Sequence, residues 1–331
     1  MCIKSENDSQ PPAFAISCWT KSLSCWLYSS DSADASGKDS LIKVDWGGLD
    51  DGREKAVITH YNIFKTKTSK QLSLILQSSS SQSTSLEKKV VLITGGAKRV
   101  GAAISRELHA HGANLMIHYN SSKQAAKALQ TELNQQRPDS VSIVQCDLLN
   151  VALVPNLVTE TTKRFGQLDI LINNASTYTS TEVGNINEDN WHDLIGSNLK
   201  APMFLSQAAA IELKKSQGCI VNITDIHVER PKKGYVVYSV AKGGLVTLTK
   251  SLAQELSPDI RVNAVAPGPV LWPEDNKEFD EGYRKRVISQ TLLKRIGDPT
   301  DIAKAVKFLA ADAPFITGHV LAVDGGRSIN L

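Results

Sequence analysis

Cysteine is scarce in this 331-residue chain. Cys2, Cys18, Cys25, Cys146 and Cys219 form no C-x-x-C pair, and their number is odd. A disulfide framework and a zinc site are thereby set aside, and a reducing, cytoplasmic setting without a bound metal is expected. Aromatics are only 6 % of the residues, and no basic stripe carries interleaved aromatics, so nucleic acid is not an expected partner. Long apolar runs are also missing. Nothing approaches the ~18–20 uninterrupted residues of a membrane span. Ser, Lys and Asp interrupt residues 13–30, which argues against a secretory signal. With 41 % hydrophobic residues, 21 % charged residues and a formal net charge of +3, the composition is that of an ordinary soluble globular protein.

The texture changes near residue 88. Residues 1–88 are rich in Ser, carry balanced charge and end in the low-complexity run SSSSQSTS at 78–85. Apolar patches such as LSLIL at 72–76 occur without a sustained period of 2 or 3.6. Such a stretch buries too little apolar surface to offset its ordering entropy, so a largely disordered extension is expected. Two alternatives stay open: a functional tail, and an upstream start site, since no second Met precedes Met116.

Residues 89–331 alternate strand-like and helix-like segments. Apolar β-type runs fall at 90–94 (VVLIT), 114–119 (NLMIHY), 142–146, 168–173, 219–224, 260–266 and 319–323. Helical periodicity lies between them, as at 100–111 and 121–136. Apolar strands alternating with helices imply a parallel sheet covered on both faces. Right-handed crossovers make it a single doubly wound α/β domain of the Rossmann type, with about seven strands.

Thr94-Gly95-Gly96-Ala97-Lys98-Arg99-Val100-Gly101 sits between the first of these strands and its helix. A glycine turn there lets backbone approach a pyrophosphate at the helix N-terminus. Gly95, Lys98, Arg99 and Val100 are therefore candidate cofactor contacts. The second strand runs into Tyr119-Asn120-Ser121-Ser122-Lys123 and lacks the acidic residue that binds the ribose hydroxyls in NAD sites. Hydroxyls, an amide and nearby cations suit a 2′-phosphate, so NADPH is the expected cofactor.

Further on, Tyr238 and Lys242 stand four residues apart at the start of a helical segment, on one face. An ammonium there favours the phenolate and lowers the tyrosine's pKa. A tyrosine so tuned can pass a proton to a group that has just received hydride.

Together these pieces resemble the short-chain dehydrogenase/reductase family. The matching motifs are T-G-x-x-x-R-x-G at 94–101, Asp147, Asn173-Asn174-Ala175, Asn198, Tyr238/Lys242, Pro267-Gly268, Thr317-Gly318 and Val323-Asp324-Gly325-Gly326. The resemblance covers residues 89–331. It implies that Asp147 meets the adenine edge and that Asn174 and Ala175 line the adenine-ribose side. Asn198 holds a water that relays protons to Lys242, Lys242 binds the nicotinamide ribose, and Pro267-Gly268 passes beside the nicotinamide. It also implies a homo-oligomer, dimer or tetramer, with helices near Asn198 and Tyr238 in the interfaces.

Two positions depart from the family. Asp225 stands thirteen residues before Tyr238, where most members carry a catalytic serine, and Arg99 replaces the central glycine of the phosphate loop. These departures, with Asn173-Asn174-Ala175-Ser176-Thr177-Tyr178 and His118-Tyr119-Asn120-Ser121-Ser122, resemble the pteridine reductases within the family. A basic residue that some members place at 121 is missing. The resemblance implies a dihydropterin substrate, with dihydrofolate a further candidate, reduced at a C=N bond. Ser176 would hydrogen-bond the pterin and Tyr178 stack on it. Arg99 would reach both cofactor and substrate, and Asp225 would bind the amino-imine edge and feed a proton toward Tyr238. Residues 270–286 resemble a mobile substrate loop in which Trp272 faces the pterin side chain. The alternatives are a generic carbonyl reductase of the same family, such as a ketoacyl-thioester reductase, and a non-catalytic NADPH-binding regulator.

Overall fold

The computed structural model describes residues 86–272 and 280–330, together with four strands nearer the N-terminus. The chain divides into two compact units, Met1–Ser81 and Gln82–Leu331. In the first, β1 (Ile16–Cys18), β2 (Ser24–Ser29), β3 (Ser40–Gly48) and β4 (Glu54–Ile58) pair antiparallel in sequence order. The rest of the expected extension, with its serine run, lies outside the described residues, as does the middle of the expected loop at 273–279.

The second unit holds a seven-stranded sheet. Its strands are β5 (Val90–Ile93), β6 (Asn114–Tyr119), β7 (Val141–Gln145), β8 (Ile170–Asn173), β9 (Cys219–Ile223), β10 (Arg261–Pro267) and β11 (Val320–Val323). All pairings are parallel, in the order β11-β10-β9-β8-β5-β6-β7. Each strand lies within two residues of its sequence-read run. The first ordered contact comes slightly before residue 89, because Leu86 is buried and its N–H donates to the His111 carbonyl at 2.8 Å.

Helices cover both faces. They are α1 (Arg99–Ala110), α2 (Lys123–Gln136), α3 (Val154–Phe165), α4 (Glu188–Ile195), α5 (Ala201–Ser216), α6 (Val236–Glu255), α7 (Glu281–Ser289) and α8 (Pro299–Lys307). The period-2 geometry of strands explains the two cores. Val91, Ile93, Leu115, Ile117, Ile170 and Ile172 pack on the side of α1, α2 and α8. Leu92, Met116 and Leu171 point the other way, against Leu157, Leu205 and Leu252 of α3, α5 and α6. Strand order reverses between β5 and β8, and the crevice beyond their carboxyl ends is where ligands bind in such sheets. No helix among the described residues is long and apolar enough to cross a membrane.

Candidate active site

A cavity of about 800 Å³ opens at that reversal. The β5–α1 turn forms its floor. Lys98 N-caps α1 in an extended conformation, without a side-chain cap or an acidic residue in the first turn, so the helix presents bare N–H groups and partial positive charge. Gly101 is required here. A Cβ on it would lie 2.2 Å from the Gly95 carbonyl oxygen and 2.7 Å from Asn174 Nδ2. Arg99 takes φ +52°, the left-handed region, where a side chain costs about 1–2 kcal/mol. Its guanidinium Nη2 donates to the Trp272 carbonyl at 3.2 Å, which draws the loop after β10 toward the phosphate turn.

Two clasps fix this floor. Asn174 Nδ2 donates to the carbonyls of Thr94 and Gly95 at 2.9 and 3.0 Å, while Thr94 Oγ1 accepts from the Asn174 and Ala175 N–H groups. His118 makes the second clasp; in the sequence it stands at the head of a motif without being given a role. Its Nδ1 accepts from the Gly95 N–H at 3.1 Å, so its Nε2 carries the proton and donates to the Cys146 carbonyl at 2.9 Å. Burial lowers the His118 pKa despite the Cys146 bond and the nearby Asp147 charge. The available signal was a histidine in an otherwise apolar strand, running directly into the cofactor-side motif.

The opposite wall is built on β9 and α6. Asp225 follows β9 and N-caps a short 3-10 turn, Ile226–Val228. Its Oδ2 accepts from Tyr238 Oη at 2.8 Å. Oδ1 accepts from the His227 backbone N–H at 2.8 Å and faces His227 Nδ1 at 2.7 Å. Burial pushes Asp225 up, but the His227 hydrogen bond and charge, aided by Tyr238, hold its carboxyl below the usual range. Tyr238 moves the opposite way: burial, then the Asp225 charge and hydrogen bond, raise its phenol well above the ordinary value. Lys242 Nζ donates to the Ile223 carbonyl at 2.8 Å, and burial brings it down to about 8.

Two sequence expectations need correction. Lys242 does not bring the phenol down, because its Nζ is turned to Ile223, 5.8 Å from the Tyr238 ring centroid, while a carboxylate touches the hydroxyl. The hydrogen bond runs from Tyr238 to Asp225, not toward Tyr238, because the carboxyl is the stronger acid. Asn198 sits on a π turn, Gly196–Lys200, of the kind often found at functional sites. Its side chain is engaged with the Thr177 and Leu194 carbonyls at 3.0 and 2.9 Å, and with Ser176 Oγ at 2.5 Å.

The remaining expected residues fall together. Tyr119, Asn120, Ser121, Ser122 and Asp147 line the cofactor half of the cavity, and Ala175, Pro267 and Gly268 continue it. A Cβ on Gly268 would meet the Asp324 Cα at 2.6 Å, which explains the glycine. Ser176, Tyr178, Asp225, Tyr238, Lys242 and Arg99 line the rest, whereas Asn198 lies behind the wall. Tyr178 stacks on Tyr235, centroids 4.5 Å apart, and meets the Tyr238 ring edge-on at 4.8 Å. Trp272, Tyr283, Leu271 and His227 also line it. Among the described residues no group of three or more His, Cys, Asp or Glu side chains could hold a metal.

The chain is similar to known proteins. The family model "Enoyl-(Acyl carrier protein) reductase" matches residues 95–328. A 3-oxoacyl-acyl-carrier-protein reductase of Staphylococcus aureus (strain Mu50 / ATCC 700699) is 35 % identical over 241 residues, covering 72 % of this chain and 97 % of the relative. Pteridine reductase 1 of Leishmania tarentolae is 36 % identical over 287 residues, covering 74 % and 98 %. A crystal structure of a blue fluorescent protein from a metagenomic library, in complex with NADPH, superposes with a TM-score of 0.69 at 33 % identity, covering 73 % of this chain and 98 % of that one.

Proposed function

The chain belongs to the short-chain dehydrogenase/reductase family, and from that premise we propose that it is an NADPH-dependent pteridine reductase acting on dihydropterins or dihydrofolate. The residues present fit the cofactor. The uncapped α1 N-terminus and the Cβ-free approach at Gly101 make a phosphate cradle. Lys98, Asn120, Ser121 and Ser122 offer donors to a 2′-phosphate. NADPH, when bound, supplies the hydride.

The observation that carries the substrate reading is the Tyr238–Asp225 hydrogen bond, at the position of the family's serine. A serine hydroxyl helps polarise a carbonyl oxygen. A carboxylate instead accepts from the N–H groups of an amino-imine edge and repels a developing oxyanion. Tyr238, kept protonated by burial and by Asp225, is a proton donor to the ring nitrogen beside the carbon that receives hydride. Lys242 orients the nicotinamide ribose. Ser176 and Tyr178 hold the pterin ring, with Arg99 at its edge. Asn198 positions Ser176. Exposed Trp191, Phe204 and Val240 on α4, α5 and α6 favour a homo-oligomer built on that side.

A screen of NADPH oxidation tests the reading. Turnover is expected with dihydrobiopterin or dihydrofolate, and a ketoester consumed without any pterin turnover would sink it. One observation favours a 3-oxoacyl reductase as the second reading: the identities to the two relatives, 35 % and 36 %, are nearly equal.

A further inference from the structure

A second cavity, about 350 Å³, adjoins the substrate end of the first. His227, Tyr283 and Arg327 line both, so the two are neighbours on either side of the side chain that braces Asp225. The lining is cationic. Arg230, Lys232, Arg327 and His227 contribute to it, and among the described residues no Asp or Glu does. Arg230 donates to the Asn330 carbonyl and Arg327 to the Val287 carbonyl at 3.0 Å. Backbone carbonyls fix both guanidiniums without neutralising them, and among the described residues neither forms an ion pair with a carboxylate. Lys232 is held against the rings of Tyr235 and Tyr178, at 4.0 and 5.6 Å from their centroids, and also meets Tyr178 Oη. Two guanidiniums held by backbone carbonyls in a concave, half-enclosed space favour the entry of an anion.

We infer that this annex is a subsite for the anionic tail of the substrate, so that the enzyme prefers pteridines whose side chain ends in carboxylate or phosphate over those with an uncharged side chain. The inference rests on the pterin reading for the ring, but its geometry is independent of Asp225 chemistry. With the ring between Tyr178 and the nicotinamide side, the tail passes His227 and Tyr283 and ends among Arg230, Arg327 and Lys232. Fork-shaped guanidiniums suit both carboxylate and phosphate oxygens. An acidic carrier protein delivering a thioester is the competing source of negative charge. A half-enclosed cavity that shares His227, Tyr283 and Arg327 with the ring site favours a tail of the substrate itself.

The test compares KM values, at constant NADPH, for dihydrobiopterin, dihydrofolate and phosphorylated dihydroneopterin. An anionic tail should lower KM about tenfold or more, the contribution of one charge-assisted hydrogen bond, and the advantage should shrink with salt. Which anionic substrate gains more identifies carboxylate or phosphate as the source. In Arg230→Gln the ratio of neutral to anionic KM should fall toward one, and Arg230→Lys should retain part of it. Equal KM values in the wild-type protein would overturn the subsite and leave the pterin reading standing. Calorimetric titration with p-aminobenzoylglutamate alone reads the annex without turnover. Binding that Arg230→Gln removes supports the subsite even where every pterin fails as a substrate, and no binding to the wild-type protein overturns it. Faster turnover of an acyl-carrier thioester than of any pterin, with the same dependence on Arg230, would overturn it in favour of the carrier protein.

Discussion

Tyr238 Oη donates a 2.8 Å hydrogen bond to Asp225 Oδ2, and the other oxygen of that carboxylate faces His227 Nδ1 at 2.7 Å. The three side chains form a line from the substrate crevice to the cationic annex. With Tyr238 proposed as the proton donor to substrate, Tyr238→Phe should reduce turnover by about 10²–10⁴-fold, the usual weight of general acid catalysis. NADPH affinity, read by cofactor fluorescence, should stay close to wild type. A Phe enzyme that keeps most of its rate would remove Tyr238 as the donor.

Asp225→Asn removes the charge that raises the phenol. Spectrophotometric titration should then show tyrosinate forming at lower pH in the variant than in the wild type. Asp225→Ser should lose pterin activity selectively. Unchanged pterin kinetics in either variant would count against the carboxylate's role.

Lys242, lowered by burial to about 8, is charged below that pH and neutral above it. If its ammonium orients the nicotinamide ribose, kcat/KM for NADPH should fall as pH rises through about 8. Lys242→Arg, charged at all working pH values, should move that limb upward. A profile that stays flat in the wild type would separate Lys242 from cofactor binding.

His118 gives a prediction on the acid side. Its pKa is lowered in the folded protein, so the unfolded chain takes up the proton first as pH falls. Its contribution is therefore fully present above the ordinary histidine value of about 6.5 and is lost as pH drops through the lowered one. Protonation of Nδ1 also breaks the Gly95 clasp. The melting temperature should fall once pH drops below the ordinary value, and NADPH Kd should rise as pH drops through the lowered one. In His118→Ala, Kd should already be raised at neutral pH, by about tenfold, for a buried donor left without a partner.

Arg99→Gly should relieve the left-handed strain at φ +52° and so raise stability by about 1 kcal/mol in denaturant unfolding. If Arg99 reaches substrate and cofactor, KM for pterin and for NADPH should both rise in the same variant. A gain in stability without a change in either KM would leave Arg99 as a link to Trp272 alone.

Much was determined by sequence alone. The seven apolar runs, each followed by a helical period, fix a parallel sheet, because a strand buried on both faces reads as continuous Val, Ile and Leu and only a crossover helix can return the chain in parallel. The Gly95–Gly101 spacing and the Tyr238–Lys242 pair place cofactor and proton donor through local geometry, and local geometry survives in a one-dimensional reading. What the tertiary structure decided lies between segments distant in sequence. The Tyr238 hydroxyl meets Asp225 from the preceding strand, Lys242 turns to Ile223, and Asn198 is taken up by Ser176 and Thr177. The direction of the tyrosine's pKa follows from those contacts and from burial, neither of which spacing encodes. Arg230 carries no signal in the sequence, because its partner, the Asn330 carbonyl, meets it only once the C-terminal segment is folded beside it.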